Sequence, residues 1–211
     1  MVPANVAPGL TPVLVAVDGE IVAGAGLGDP VRPEAAAAVA DLRRRGWDVT
    51  LLSGDAPAVV DAVGRALALP AGACTGGASP EDKLRVIEEA RRRSPRPVVM
   101  VGDGVNDAAA IAAASVGVGV HGGAEACLAT ADIYLTNPGL GPLVELVDGA
   151  ERTMRVIRRN LLFSLLYNVV GASAAMAGAL NPLVAALLMP ASSLTVVVSS
   201  WRARTFRGGA A

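Results

Sequence analysis

Aromatic residues are scarce: two Trp, two Tyr and two Phe make up 3% of the 211 residues. Lysine occurs once, cysteine twice, and no acid follows Glu151. Each shortage excludes something. Cys74 and Cys127 are too few for a disulfide framework and say little about compartment. A net charge of −1 leaves no basic excess to displace counterions, so nucleic acid is not an expected partner. What is abundant is apolar surface, at 53% of residues. That excludes a disordered chain and, with few charges, fits a membrane-associated one. The N-terminus has neither a basic flank nor a long apolar core, so no signal peptide is expected.

The near-neutral total is a cancellation. Residues 1–151 carry eleven bases against nineteen acids, a balance of −8, whereas residues 152–211 carry seven arginines and no acid. Such a split predicts two physical environments, an α/β domain over 1–150 and a second region over 151–211. In the second, the 41 residues Asn160–Ser200 contain no charged residue and no histidine. One helix of that length would span about 60 Å, twice a hydrocarbon core. Asn181-Pro182 sits near the midpoint and is a turn signal. A transmembrane α-helical hairpin over Leu161–Leu180 and Leu183–Ser200 is therefore expected. Arg152, Arg155, Arg158 and Arg159 precede it, and Arg202, Arg204 and Arg207 follow it. The positive-inside rule places both termini in the cytoplasm. The competing expectation is a buried hairpin, which a 150-residue domain would have to cover on all sides.

The first 150 residues alternate strands and helices. Val13–Val17 and Ile21–Leu27 flank Asp18-Gly19-Glu20 as a hairpin does. Helices are predicted over Pro33–Arg45, Pro57–Leu69, Ser79 to about Arg93, Asn106–Ala114 and Ala124–Thr130, with a last one from about Leu140. Strands are predicted over Asp48–Leu52, Pro97–Val101, Val116–Val120 and Ile133–Leu135. The rhythm predicts a mostly parallel sheet with helices on both faces and a ligand site beyond the strands' carboxyl ends.

Three segments at such ends carry chemistry. In Leu51-Leu52-Ser53-Gly54-Asp55, a hydroxyl and backbone N–H groups can face a phosphate, although Ser-Gly-Asp is also an ordinary turn. Lys83, the only lysine among seventeen arginines, can serve as a compact charge for a phosphoryl oxygen or be a surface residue. In Val101-Gly102-Asp103-Gly104-Val105-Asn106-Asp107, an apolar strand runs into a glycine-framed turn. Asp103, Asp107 and the Asn106 amide are hard oxygen donors suited to Mg²⁺ beside a phosphate, while Gly102 and Gly104 leave room. The plain alternative is a solvated acidic cap.

The order hydroxyl, lysine, then Gly-Asp-Gly-x-Asn-Asp resembles the haloacid-dehalogenase superfamily. Gly102-Asp103-Gly104-Val105-Asn106-Asp107-Ala108-Ala109-Ala110, preceded by Leu51-Leu52-Ser53-Gly54-Asp55, is similar to the phosphorylation domain of P-type ATPases. The hairpin resembles the last two helices of the heavy-metal members. Tyr167-Asn168 and Met189-Pro190-Ala191-Ser192-Ser193 stand where copper(I) members carry Tyr-Asn and Met-x-x-Ser-Ser. The resemblance extends from about Pro12 to Arg204. It implies a haloacid-dehalogenase-like Rossmannoid sheet followed by the hairpin. It also implies Ser53, Gly54, Asp55, Lys83 and Asn106 as phosphate-site residues and Mg²⁺ at Asp103 and Asp107. ATP would be bound mainly by a nucleotide-binding domain absent from this sequence. Tyr167, Asn168, Met189 and Ser193 would line the path of a soft metal ion such as copper(I). From the residues alone, Tyr167, Asn168 and the serines read as helix-helix contacts and Met189 as packing.

The family's Asp-Lys-Thr-Gly nucleophile string, its Thr-Gly-Glu and its Cys-Pro-Cys do not occur here. Cys74 and Cys127 do not replace the last, and Asp18 reads as a turn residue. The chain thus resembles the C-terminal part of a multi-pass pump of the plasma or inner membrane, incompetent alone and partnered by lipid and a separate N-terminal portion. Two other expectations stand beside it, a free-standing phosphatase and a non-enzymatic membrane-anchored module.

Overall fold

The computed structural model describes residues 10–28, 30–103, 105–122, 129–203 and 206, without the side chains at 11, 12, 105, 182, 185, 187–189 and 191. Two compact units are present, Met1–Val144 and Glu145–Ala211.

The first unit opens with β1 (Thr11–Val17) and β2 (Glu20–Leu27), an antiparallel hairpin with a register shift between Val15 and Ala16. Asp18 and Gly19 form its two-residue turn at φ +50° and +83°, the left-handed conformation that such hairpin turns need. Asp18 is therefore a turn residue, as its setting in the sequence predicts. The described side chains of both strands are exposed, including Val15, Val17 and Val22.

Then follow α1 (Pro33–Arg44), β3 (Leu51–Leu52), α2 (Pro57–Ala66), β4 (Cys74–Thr75) and α3 (Pro80–Arg93). After them come β5 (Val99–Gly102), a 3₁₀ turn (Val105–Asp107), α4 (Ala108–Ala113), β6 (Val116–Gly119) and β7 (Ile133–Tyr134). Proline stands at the first turn of α1, α2 and α3, where its missing N–H costs nothing. β3 pairs in parallel with β4, and β5, β6 and β7 form a parallel three-stranded ladder in that order.

The parallel pairing agrees with the strand-helix rhythm, but the single sheet does not form among the described residues. β1 and β2 pair only with each other, and β3 holds two residues where five were expected. β4 was not foreseen, because a two-residue strand carries no period. The predicted helix over Ala124–Thr130 lies almost wholly outside the described residues. The core joins Ile87 of α3, Met100 of β5, and Ala110 and Ile111 of α4. Ala38, Val39 and Leu42 bury one stripe of α1, as i, i+1, i+4 spacing on a helix requires.

The second unit is a helical hairpin. α5 (Gly141–Met176) is continuous for 36 residues, merging the two helices expected in the sequence. It stops four residues before Leu180 because Gly178 takes φ +69° and its N–H bonds the Ala175 carbonyl. α6 (Pro182–Arg202) begins at the foreseen Asn-Pro turn: the Asn181 side chain accepts from the Leu183 N–H at 3.0 Å. Pro190 lies inside α6 and removes one helical hydrogen bond beside Met189. Among the described residues, no helix is long and apolar enough to cross a membrane. In α5 the charge-free stretch begins at Asn160 and ends with the helix at Met176, about 26 Å at 1.5 Å per residue.

Candidate functional site

The three strand-end segments of the first unit meet around the start of α3. Ser79 caps this helix: its hydroxyl accepts from the Asp82 N–H at 3.1 Å, and the Ser79 N–H donates to the Asp82 carboxylate at 3.2 Å. This reciprocal capping box fixes where α3 begins. Hydrogen bonds from the Ser79 hydroxyl and N–H, with Arg85 adding to them, lower the Asp82 pKa below its ordinary 3.8.

One turn into α3, Lys83 points inward. Its Nζ donates to Asp107 Oδ1 at 2.7 Å, with the two side chains only 12% and 11% exposed. The pair is 24 residues apart in sequence, and it ties α3 to the turn after β5. Charge assistance makes the bond strong, and near-burial makes either partner costly without the other. Gly102 is what admits it: a Cβ there would lie 2.8 Å from Asp107 Cβ and 2.9 Å from its Oδ2. The glycine therefore makes room for Asp107 itself, whereas the sequence suggests room for a ligand.

The Ser53 segment reaches the same neighbourhood through backbone. Ser53 N–H donates to the Thr75 carbonyl at 3.0 Å, and the Ser53 carbonyl accepts from the Ala78 N–H at 2.9 Å, one residue before the α3 cap. The Ser53 hydroxyl donates to Asp55 at 2.9 Å and accepts from the Asp55 N–H at 3.2 Å. Gly54 sits in the resulting tight turn. Ser-Gly-Asp thus forms an ordinary turn at the carboxyl end of β3.

Asp103 and Asn106 are exposed and make no hydrogen bond or ion pair among the described residues. Gly104 between them lies outside the described residues. No three His, Cys, Asp or Glu side chains converge as a metal site among the described residues. The donor set still fits Mg²⁺, which binds through one or two carboxylates and completes its shell with water and substrate phosphate. Asp103 offers a free carboxylate, and Asp107 has one oxygen committed to Lys83. Lys83 in turn retains two of its three N–H donors for an anion.

In the second unit, Tyr167 lies on α5 with its ring against Phe163, centroids 6.4 Å apart. Its hydroxyl is buried and has no hydrogen-bond partner among the described residues. A buried unpaired hydroxyl is unfavourable, so it marks a position awaiting an acceptor. Asn168 and Ser193 are exposed, whereas the Met189 side chain lies outside the described residues. Nothing in the spacing of residues singles out Asn160, which bridges the helices. It donates to Ser200 at 2.9 Å and accepts from Ser199 at 3.1 Å. Cys74 is a free cysteine on β4, and Cys127 lies outside the described residues.

Residues 2–115 match the family model of the haloacid dehalogenase-like hydrolases. The chain is 40% identical over 198 residues to the cation-transporting P-type ATPase B of Mycobacterium tuberculosis, covering 94% of this chain and 26% of that protein. It is also 40% identical to the copper-exporting P-type ATPase of Mycobacterium leprae, covering 94% of this chain and 25% of that protein. Among solved structures, a zinc-transporting PIB-type ATPase in its E2.Pi state superposes with a TM-score of 0.81 and 30% identity. That superposition covers 94% of this chain and 32% of the other. The chain spans about a quarter of the length of the curated relatives it matches.

Proposed function

The chain belongs to the haloacid dehalogenase-like hydrolase family, and from that premise we propose that it works as part of an ATP-driven heavy-metal cation transporter. In this role residues 1–150 supply the Mg²⁺ and phosphate site, and residues 151–211 form a membrane hairpin that contributes to the ion path. The observation that carries the proposal is the reach of the similarity: it covers 94% of the chain, the hairpin included, against proteins described as metal-transporting P-type ATPases.

Each residue's part follows from its chemistry. Lys83 holds a phosphoryl oxygen by charge and keeps its own orientation through Asp107. The Ser53 hydroxyl and the Gly54 N–H, the one N–H of that turn not committed to another acceptor among the described residues, face the same phosphoryl group, with Asp55 shaping the turn. Asp103, Asp107 and the Asn106 amide hold Mg²⁺, which when bound offsets phosphate charge. In the family, ATP is bound mainly by a nucleotide-binding domain and phosphorylation falls on the aspartate of Asp-Lys-Thr-Gly, a string not found in these 211 residues. The Mg²⁺ and phosphate contacts of this chain would act together with those elements. Purified protein should show no Mg²⁺-dependent hydrolysis of a phosphomonoester. Turnover that disappears in Asp18→Asn would instead establish a free-standing phosphatase.

Exposure supports the membrane hairpin. Leu161, Leu162, Leu165, Leu166, Val169 and Val170 are all exposed along α5, and Trp201 is 85% exposed at the end of α6. A contiguous apolar face of this kind needs an apolar surrounding, and tryptophan favours its edge. The expected location is a cell membrane with both termini cytoplasmic. Alkaline extraction should leave the chain in the membrane pellet, and Asn181→Cys should be labelled only from the outside. Release into the supernatant would overturn the membrane assignment.

The cargo is a soft metal ion, with copper(I) favoured by Met189 in company with Tyr167, Asn168 and Ser193. The orphaned Tyr167 hydroxyl agrees with a polar path through the hairpin. Metal binding measured on the full chain should fall in Met189→Leu and Tyr167→Phe. Equal binding of copper(I) and Zn²⁺ by all three proteins would remove the preference for copper.

A further inference from the structure

Where the charged and charge-free parts of the hairpin meet, α5 and α6 form a groove of about 500 Å³ lined by Arg152, Arg155, Val156, Arg159, Ser199 and Arg202. Arg152, Arg155 and Arg159 recur at spacings of three and four residues, so one face of α5 presents all three. Arg202 comes from the last turn of α6. Four guanidinium groups thus share one concave surface.

Among the described residues, one carboxylate lies near them. Arg152 has Asp148 at 3.9 Å, a long and half-exposed contact. Among the described residues, Arg155, Arg159 and Arg202 have no carboxylate within ion-pair distance. Arg159 donates to the Ser199 hydroxyl at 2.7 Å, a neutral partner that orients the guanidinium without cancelling its charge. Such a cluster attracts an anion, and planar guanidinium forks match phosphate oxygens.

The surroundings select among anions. One residue beyond Arg159, Asn160 begins the charge-free stretch, and Leu161 and Leu162 are 65% and 67% exposed. Beside Arg202 stands the exposed Trp201. The groove therefore borders a strongly apolar surface, and its occupant should be anionic at one end and apolar at the other. We propose that it is a headgroup site for an anionic phospholipid, the phosphate seated among the arginines and the acyl chains lying along α5. This rests on the membrane-hairpin reading above. It goes beyond the general positive-inside bias, which requires basic residues near the membrane but no shared groove.

The test uses the full 211-residue chain in nonionic detergent, mixed with equal amounts of phosphatidylglycerol and phosphatidylcholine, with retained lipid counted by native mass spectrometry. Phosphatidylglycerol should be retained preferentially. The double variant Arg155→Gln/Arg202→Gln should lose about 30-fold of that preference, as two arginines near an anionic surface would supply. Arg92→Gln/Arg93→Gln, an equal charge loss on α3, should retain it in full. Equal loss in both variants would reduce the effect to net charge and overturn the site. If millimolar inorganic phosphate displaces the lipid completely, the groove is a soluble-anion site and the lipid assignment fails. Circular dichroism of each variant guards against misfolding, and Arg155→Lys/Arg202→Lys should restore part of the preference. Alkaline extraction separates the two ideas. A chain that stays in the membrane but retains both lipids equally defeats only the groove, whereas a chain that is extracted defeats the hairpin itself.

Discussion

Charge is handled in opposite ways in the two units. In the first, the lone lysine is almost buried and an aspartate from a distant strand end meets it at 2.7 Å. In the second, four arginines gather on one groove, and among the described residues only Arg152 has a carboxylate near it, Asp148 at 3.9 Å. The apolar residues mirror this. Ile111, Val60 and Val118 of the first unit are fully buried, whereas Leu161, Leu162, Leu165 and Leu166 of α5 are exposed. Outside the exposed β1–β2 hairpin, the first unit packs its apolar side chains and its lone lysine internally. The second leaves much of its apolar surface and its arginines exposed, as the proposed membrane hairpin requires.

The largest expected effect tests the internal side of that contrast. Asp107→Ala leaves Lys83 nearly buried and unpaired, and should destabilise the first unit by about 3–5 kcal/mol. Urea unfolding followed by Trp47, in a Trp201→Phe background, would read it. Arg155→Gln in the same background should change that transition by less than about 0.5 kcal/mol. Similar losses from both would break the contrast.

Gly102→Ala should cost about 1–3 kcal/mol, because the new methyl group must displace the Asp107 side chain. A neutral result would mean that the turn after β5 yields easily and that the ion pair is not held by shape.

Ser79→Ala should cost about 1 kcal/mol through loss of the α3 cap. It also has a pH signature. The Asp82 pKa is lowered in the folded chain. Its contribution is therefore fully present above the unfolded value and lost as pH falls through the folded one, below the ordinary 3.8. In Ser79→Ala the Asp82 titration, followed by NMR, should move back up toward that value. An unmoved titration would assign the shift to Arg85.

The smallest effect sharpens the contrast by its size. Arg85→Gln removes an exposed ion pair with Asp82 and should leave the urea transition almost unmoved. Proximity of opposite charges alone is thus worth little, and burial is what separates Lys83–Asp107 from it.

Signals confined to one segment were legible in the sequence. Ser79-Pro80-Glu81-Asp82 spells a helix start, and the capping box forms there. Asn181-Pro182 marks the turn between α5 and α6, and Asp18-Gly19 the turn between β1 and β2. Features made by residues far apart were not legible. Lys83 and Asp107 were each assignable to phosphate or metal chemistry, but no spacing rule pairs residues 24 apart. The Asn160 bridges to Ser199 and Ser200 depend on how two helices face each other. The two-residue strands β3 and β4 are too short to show alternation, so the parallel order was readable and the division into separate ladders was not.

The Asn160 bridges have a mechanical consequence. Asn160 bonds Ser199 and Ser200 together, and Arg159 bonds Ser199 as well. Sliding α6 along α5 by a full turn, about 5.4 Å, would pull all three contacts out of reach at once. Val196 or Ala203 would then stand in the place of Ser200, and neither side chain can accept or donate. The hairpin therefore has one favoured setting, like a latch with a single notch. A relative movement of α5 and α6 that keeps these bonds must tilt or rotate the two helices as a clasped pair.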